Sequence, residues 1–502
     1  MKPKRKGRSA YQFALWAVSF LLTGSVEASS LRITTASIPD AWGNPFASTS
    51  NTRYPLQSAV FDPLTHINAD GVLEPWLATA WTRTGPTEWR LTLRANVRFS
   101  NGATLDARAV AAAFEYLKSA AGLREPISRE LVDVSSTRVI DALTLDITTR
   151  VPDPLLPYRL SLLAVPEPDA WKALGRDEFA RRPIGTGPLV LETITANRVD
   201  LKRSATSWRK AGVDNVSQLI LPEPAARRAA LSTGAVEVAL STMAPVDFES
   251  LEAEGGRVLI DRVPAVVAMA FNTQNFAPFK DARVRRALTH AVNRQVLVDT
   301  IMGGKTRVAG QPAGRAWFGY NAAVTPLAYD PELARRLLTE AGYKDGLSFD
   351  LEIPTGAVSY PDVFQAIAAD LAKVGVRMNV LTIPQQKIYE NIQTGGWRGQ
   401  AAAIPFSSPM FDALYPLRQY SCLWHTPWFC DQAFTDDVSA ALAEGDTARR
   451  TELTRNVMAR AHDIAQALFL YETVSFTGLS ARVVDFPMDF GFIRYEGVKL
   501  KQ

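Results

Sequence analysis

The sequence predicts a mixed α/β protein built as more than one lobe, and three observations carry that prediction. At 502 residues the chain exceeds what one hydrophobic core organises, so two or three domains are expected. From Tyr329 to Ile383, segments of helical period and segments rich in strand formers alternate, which is the pattern of βαβ units. From Leu73 to Leu117, Trp89, Leu91, Leu93 and Val97 follow period 2. Ala109, Ala112, Ala113, Tyr116 and Leu117 then recur at helical spacing. A composition of 47% hydrophobic and 21% charged residues is that of a globular protein rather than a disordered one.

The chain opens with Lys2, Lys4, Arg5, Lys6 and Arg8, an apolar run from Phe13 to Leu22, and a small-residue exit at Val26-Glu27-Ala28. That order predicts a secretory signal peptide, residues 1–28, removed before Ser29. The apolar run is shorter than the roughly 20 residues a membrane-spanning helix needs. No cysteine stands near the cut, so a lipid anchor is not indicated and a periplasmic location is expected. Removing those five cations and Glu27 brings the formal +4 to zero, which leaves no electrostatic case for a nucleic-acid partner.

Leu31–Ala36 reads as a first strand, and the loop Pro39–Pro55 carries Trp42, Phe46 and Tyr54. Ser58–Ile67 (SAVFDPLTHI) reads as a helix leading to the Asp70-Gly71 turn and the block described above. There Ser100-Asn101-Gly102 supplies the turn between strand and helix. Two strand-like runs fill residues 131–151, and Pro183-Ile184-Gly185-Thr186-Gly187-Pro188 is a tight turn into a further strand. No helix opens after it, so it lacks the amide cradle of a phosphate loop. Asp330 and Pro331 mark a helix start and Gly342 its stop, before strand Leu347–Thr355. Gly375 likewise stops a helix before strand Arg377–Ile383. Residues 395–430 read as a long irregular segment rich in aromatic residues and proline, and such long connections tend to be functional. Two closing helices and a strand at Phe469–Ser480 end the pattern.

Several of these strings also resemble the family 5 extracytoplasmic solute-binding proteins of ATP-driven importers. They are ADGVLEPWLATAW, LRANVRFSNG and TLDARAV in the first block, then FNT, PFKDARVRRAL and AVNR, and YDPELARRLLTEAGYKDG in the third. The resemblance implies an α/β, two-lobed periplasmic binding protein type II-like fold with an extra subdomain in the first lobe. It places the lobe 1 core at 29–60, 180–268 and 475–502, the extra subdomain at 61–179 and lobe 2 at 269–474. Crossings are expected near Ala268–Asn272 and Val474–Leu479. It further implies a monomer that captures a peptide-like or nickel-chelate-type solute between the lobes and delivers it to an importer permease in the inner membrane.

Reactive chemistry is sparse. Gly-x-Ser-x-Gly and His-Glu-x-x-His are absent, only four histidines occur, and no pair of carboxylates is nominated by spacing. No cofactor, metal or catalytic residue is therefore expected. A secreted hydrolase working on peptides or glycans through cleft carboxylates is the alternative. Cys422 and Cys430, eight residues apart, are expected to pair in an oxidising compartment. The competing metal reading adds His425 but lacks a fourth ligand and zinc-site spacing.

In the dipeptide-binding members a loop carboxylate pairs with the ligand amine. Ser408 stands at that place here, with Asp412 four residues on. In the nickel-binding branch an arginine in L-P-x-P holds a chelator carboxylate, and Glu167 occupies that position. Candidate ligand contacts are Tyr54, Phe406, Ser408, Asp412, Arg418, Trp424 and His425. The aromatic rings offer contact area, and Arg418 offers a partner for a carboxylate.

Overall fold

The computed structural model describes residue 1 and residues 29–39, 41–49, 51–355 and 360–501. The predicted export segment, Met1 apart, lies outside the described residues. A ten-stranded sheet passes through both lobes. Its strands, in chain order, are β1 (Ser30–Thr35), β2 (Leu189–Thr195), β3 (Arg198–Arg203), β4 (Asn215–Ile220) and β5 (Val238–Ala239). They continue with β6 (Arg257–Phe271), β7 (Leu347–Pro354), β8 (Val376–Ile383), β9 (Ala401–Ser407) and β10 (Ala467–Leu479). The spatial order is β8-β7-β9-β6-β10-β5-β1-β4-β3-β2.

Two long strands join the halves. β6 and β10 pair antiparallel from Arg257–Leu479 to Ala270–Ala467. One end of β10 also holds β5 through Gly478 and Leu479, and the other end of β6 holds β9 from Ala265 to Phe271. Between those two anchorages the ladder is irregular, with register shifts from Arg262 to Val266 and from Val267 to Ala268. Apolar residues alternate across the lobe 2 part of the sheet. Val267, Met269, Ala401 and Ala403 feed one core, whereas Val266, Ala268, Ala402, Ile404 and Phe406 feed the other. Both faces are covered, so these strands read as nearly continuous apolar runs.

Local signals explain most elements. Strand Glu88–Leu93 buries Trp89, Leu91 and Leu93 and exposes the residues between them. It lies in a four-stranded antiparallel sheet with Ala78–Gly85, Thr144–Thr149 and Val134–Val139. Helix Ala107–Lys118 packs there through Val110, Phe114 and Leu117. The Asp106 carboxylate accepts the backbone N–H groups of Arg108 and Ala109 at its start. Helix Pro331–Glu340 begins as predicted, with Asp330 accepting the Leu333 N–H at 2.8 Å. The helix Tyr360–Ala372 connects the parallel neighbours β7 and β8.

Two segments differ from the sequence reading. The helix expected over Ser58–Ile67 is Tyr54–Val60, and Thr65–Ile67 is a strand paired with Leu73–Pro75. Pro63 has no N–H to continue the helix, and it disfavours helical angles at Asp62. Residues 395–430 are not one irregular stretch, because Ala401–Ser407 is β9, inserted between β6 and β7. Alanine and proline are weak strand formers, so burial between two cores overrides local preference.

Lobe 1 is pinned by a buried polar node. The fully buried Asp62 carboxylate accepts from Trp76 Nε1 at 2.8 Å, Thr186 Oγ1 at 2.7 Å, Trp208 Nε1 at 2.9 Å and Arg209 Nε at 2.8 Å. The Gly185-Thr186-Gly187 turn delivers that threonine by close approach. A Cβ at Gly185 would lie 2.1 Å from Val60 O, and one at Gly187 would lie 2.4 Å from Ala59 O. This turn is a packing device.

Candidate functional site

Beside the irregular part of the β6–β10 ladder lies a cavity of ≈ 600 Å³. Its floor is sheet, with Val267 from β6, Ala403, Pro405 and Ser407 from β9, and Tyr471 and Thr473 from β10. Its roof is the helix Gln385–Thr394, which presents Gln385, Ile388, Tyr389, Ile392 and Gln393. Gln419 and Tyr420 close a third side. The volume falls in the range of roughly 300–1,000 Å³ typical of small-molecule sites. The walls are apolar at Val267, Ile388 and Ile392. The polar groups are amides and hydroxyls, and among the described residues no charged side chain lines the space. Thr473 Oγ1 is buried without a hydrogen-bond partner.

The roof is fixed from behind. Trp424 Nε1 donates to Ile392 O at 2.9 Å, His425 Nε2 lies 2.8 Å from Gln393 O, and Thr426 Oγ1 donates to Ile392 O at 3.2 Å. These contacts use carbonyls that the helix end leaves unpaired. Cys422 and Cys430 form the predicted disulfide and close the loop that carries Trp424 and His425. Glu352, buried on β7, accepts Asn391 Nδ2 at 3.2 Å and the N–H groups of Arg398 and Gly399 at 2.8 Å. Reducing the disulfide is therefore expected to cost about 2–3 kcal/mol, the entropy of an eight-residue loop. A melting temperature lower by several degrees in dithiothreitol checks this.

A second feature is the seam where residues 408–418 lean on lobe 1. Met410 is fully buried within the lobe 1 core, and the Phe411 and Phe490 rings stand 4.3 Å apart. Both phenylalanines adopt left-handed backbones, φ 60 and φ 51, a strained state for such residues. Tyr415 donates its hydroxyl to Glu130 at 2.8 Å. Burial raises the pKa of both groups, and their proximity raises that of Tyr415 further. Arg159 pairs with Asp153 at 2.8 Å and directs Nη1 to the Met410 sulfur at 3.2 Å. The space left in the seam, bounded by Tyr54, Pro409, Phe411 and Phe492, is only ≈ 20 Å³.

The family model for bacterial extracellular solute-binding proteins, family 5, matches residues 72–418. The chain belongs to that family. The nickel-binding periplasmic protein of Escherichia coli is 28% identical over 492 residues, covering 90% of this chain and 89% of its own. The dipeptide-binding protein of Escherichia coli is 26% identical over 544 residues, with 100% of both chains covered. Among solved structures, NikA from Brucella suis in complex with Fe(III)-EDTA superposes with a TM-score of 0.80 at 23% identity, covering 94% of this chain and 100% of that one. That likeness gives the two-lobed binding-protein fold.

This solute-binding protein distributes the sequence candidates over three places. Trp424 and His425 stand behind the cavity roof, on the helix end rather than in the cavity. Tyr54 is at the seam, edge-on to Phe492 at 5.9 Å. Arg418 is exposed there, and its charge acts on Glu130 and Tyr415. Phe406, Ser408 and Asp412 are buried in lobe 2. Phe406 packs on Tyr420 at 4.2 Å, and Ser408 Oγ accepts the Asp412 N–H at 2.9 Å. Asp412 is ion-paired with the buried Arg450 at 3.1 Å. Glu167 caps helix Pro168–Arg181 by accepting the Ala170 N–H at 2.7 Å. The cavity-lining Gln385, Tyr389, Gln393, Gln419 and Thr473 were not singled out in the sequence. They are ordinary polar residues there, and only the fold brings them together.

Proposed function

We propose that this family 5 protein is the periplasmic capture component of an ABC importer. It takes a peptide-like or nickel-chelate-type solute at the junction of its lobes and passes it unaltered to the membrane permease. The observation that carries this reading is the ≈ 600 Å³ cavity beside the two joining strands, in a chain whose residues 72–418 match the solute-binding family. The relatives named above bind nickel and dipeptides, as their names state. No described helix is long and apolar enough to cross a membrane.

In this reading residues 269–474 move as lobe 2 against 29–60, 180–268 and 475–502, with the extra subdomain 61–179 riding on lobe 1. The bend falls where the β6–β10 ladder loses register. A solute touching both lobes favours the closed arrangement, because it binds that state more tightly. The protein acts as a monomer, without catalysis and without nucleic acid.

The test is incubation of the purified protein with peptide pools and a carboxylate–nickel chelate. A solute-dependent rise in melting temperature with chemically unchanged solute on recovery is expected. Steady accumulation of cleaved product would make it a hydrolase instead.

A further inference from the structure

We infer that the solute is uncharged where lobe 2 holds it: a hydroxyl- and amide-rich molecule of roughly di- to trisaccharide or short capped-peptide size. This rests on the solute-binding reading above and narrows it. Gln385, Tyr389, Gln393, Ser407, Gln419 and Thr473 all line the cavity, and none of these side chains hydrogen-bonds to another described residue. Amides and hydroxyls both donate and accept, so they match a partner that does the same, such as an alcohol or a peptide unit. They match a bare ammonium or carboxylate poorly. An ion taken from water into such a space needs an opposite charge within reach.

Several neighbouring charges are engaged elsewhere. Lys387 pairs with Glu390 at 2.7 Å on the outer face of the roof helix, and Glu352 is saturated by Asn391 and two backbone N–H groups. Glu472, between the cavity residues Tyr471 and Thr473 of β10, faces Arg315 and Gly314. Arg418 precedes Gln419, but its field falls on Glu130 and Tyr415 at the seam. Tyr389, 57% exposed at the mouth, supplies a ring face for the apolar side of a sugar or peptide unit.

Two sources share this chemistry, and the experiment separates them. Thermal shift and titration calorimetry are run on the full mature chain with four probes. These are a pool of free di- and tripeptides, the same peptides with N-acetyl and C-amide caps, a pool of neutral di- and trisaccharides, and nickel(II)-EDTA. One uncharged pool is expected to bind at least about tenfold more tightly than the free peptides or the chelate, and its identity names the source. Gln393→Leu and Gln419→Leu are each expected to weaken that binding about tenfold, with the unliganded melting temperature held within about 2 °C. Tighter binding of free peptides or the chelate overturns the inference and leaves the solute-binding reading standing. Binding of an uncharged pool that both substitutions leave intact also overturns it, because the solute then sits elsewhere. Silence from all four probes takes down the inference together with the solute-binding reading on which it rests.

Discussion

Asp62→Ala is expected to destabilise lobe 1 by about 3 kcal/mol, the lower end of the cost of breaking a buried ion pair, because one of the two carboxylates paired with Arg209 remains. The Arg209 side chain is 3% exposed and Asp62 is 0% exposed, so water cannot replace the lost carboxylate. Trp76, Trp208 and Thr186 lose their acceptor in the same step. Arg209 keeps Glu496 at 2.6 Å and Ser58 O at 3.0 Å, which places the cost at the low end of the range for a broken pair. The Trp76 and Trp208 rings are 5.5 Å apart and Arg209 lies 4.9 Å from the Trp76 ring, so two of the chain's eleven tryptophans report on the site. In urea, the indole-monitored transition of the variant is expected at lower denaturant than that of the parent. Asp62→Asn, which keeps an acceptor oxygen and loses the charge, should fall between them. A transition unmoved in both variants would mean that the node contributes nothing.

Asp261→Asn is expected to act in the opposite direction, by an amount that grows as pH rises from about 4 to about 7. Asp261 sits on β6 opposite Ser475, 8% exposed, with the backbone N–H groups of Phe490 and Gly491 as its partners. Burial pushes its carboxyl up to about 7, and the nearby Asp489 pushes in the same direction. The unfolded chain releases this proton near pH 4, so between about 4 and 7 the native state holds more protons than the unfolded one. Stability therefore falls as pH rises through that window and levels off above it, a loss of about 4 kcal/mol from this group. The amide carries no charge to bury and still accepts a backbone hydrogen bond. Parent and variant should be close in stability at or below about pH 4, with the variant the more stable at pH 8. Denaturation curves at several pH values measure the difference, which isolates this group from the other titrations. A pH-independent difference would contradict the argument.

The elements that could be read from sequence are those whose cause is local. Trp89, Leu91 and Leu93 alternate because one face of their strand is dry. Asp330, Pro331 and Gly342 bracket a helix because they meet the needs of its two ends. Cys422 and Cys430 were close enough in sequence to be paired on compartment and spacing. Where the cause is distant, the reading failed. Ala401–Ser407 carries no strand signal of its own, yet it becomes a strand because β6 and β7 leave a place between them and both faces are covered. The helix expected through Ser58–Ile67 is the exception, because its cause is local: it ends at Val60, and Pro63 cannot continue it.

The site divides along the same line. Ser408 and Asp412 are expected at the ligand from the family resemblance, but in the fold a turn and Arg450 engage them. Gln385, Gln393 and Gln419 have no distinguishing pattern, and their neighbour Thr473 arrives from a strand more than fifty residues further on. By itself the sequence determined the family, the two-lobed α/β plan and the disulfide, because repeated local patterns and whole-segment resemblance are properties of the chain. Which polar groups face a common empty space, and that none of the described ones is charged, was decided only by tertiary packing. Cavities are made by residues that are neighbours in space, and no residue carries that information alone.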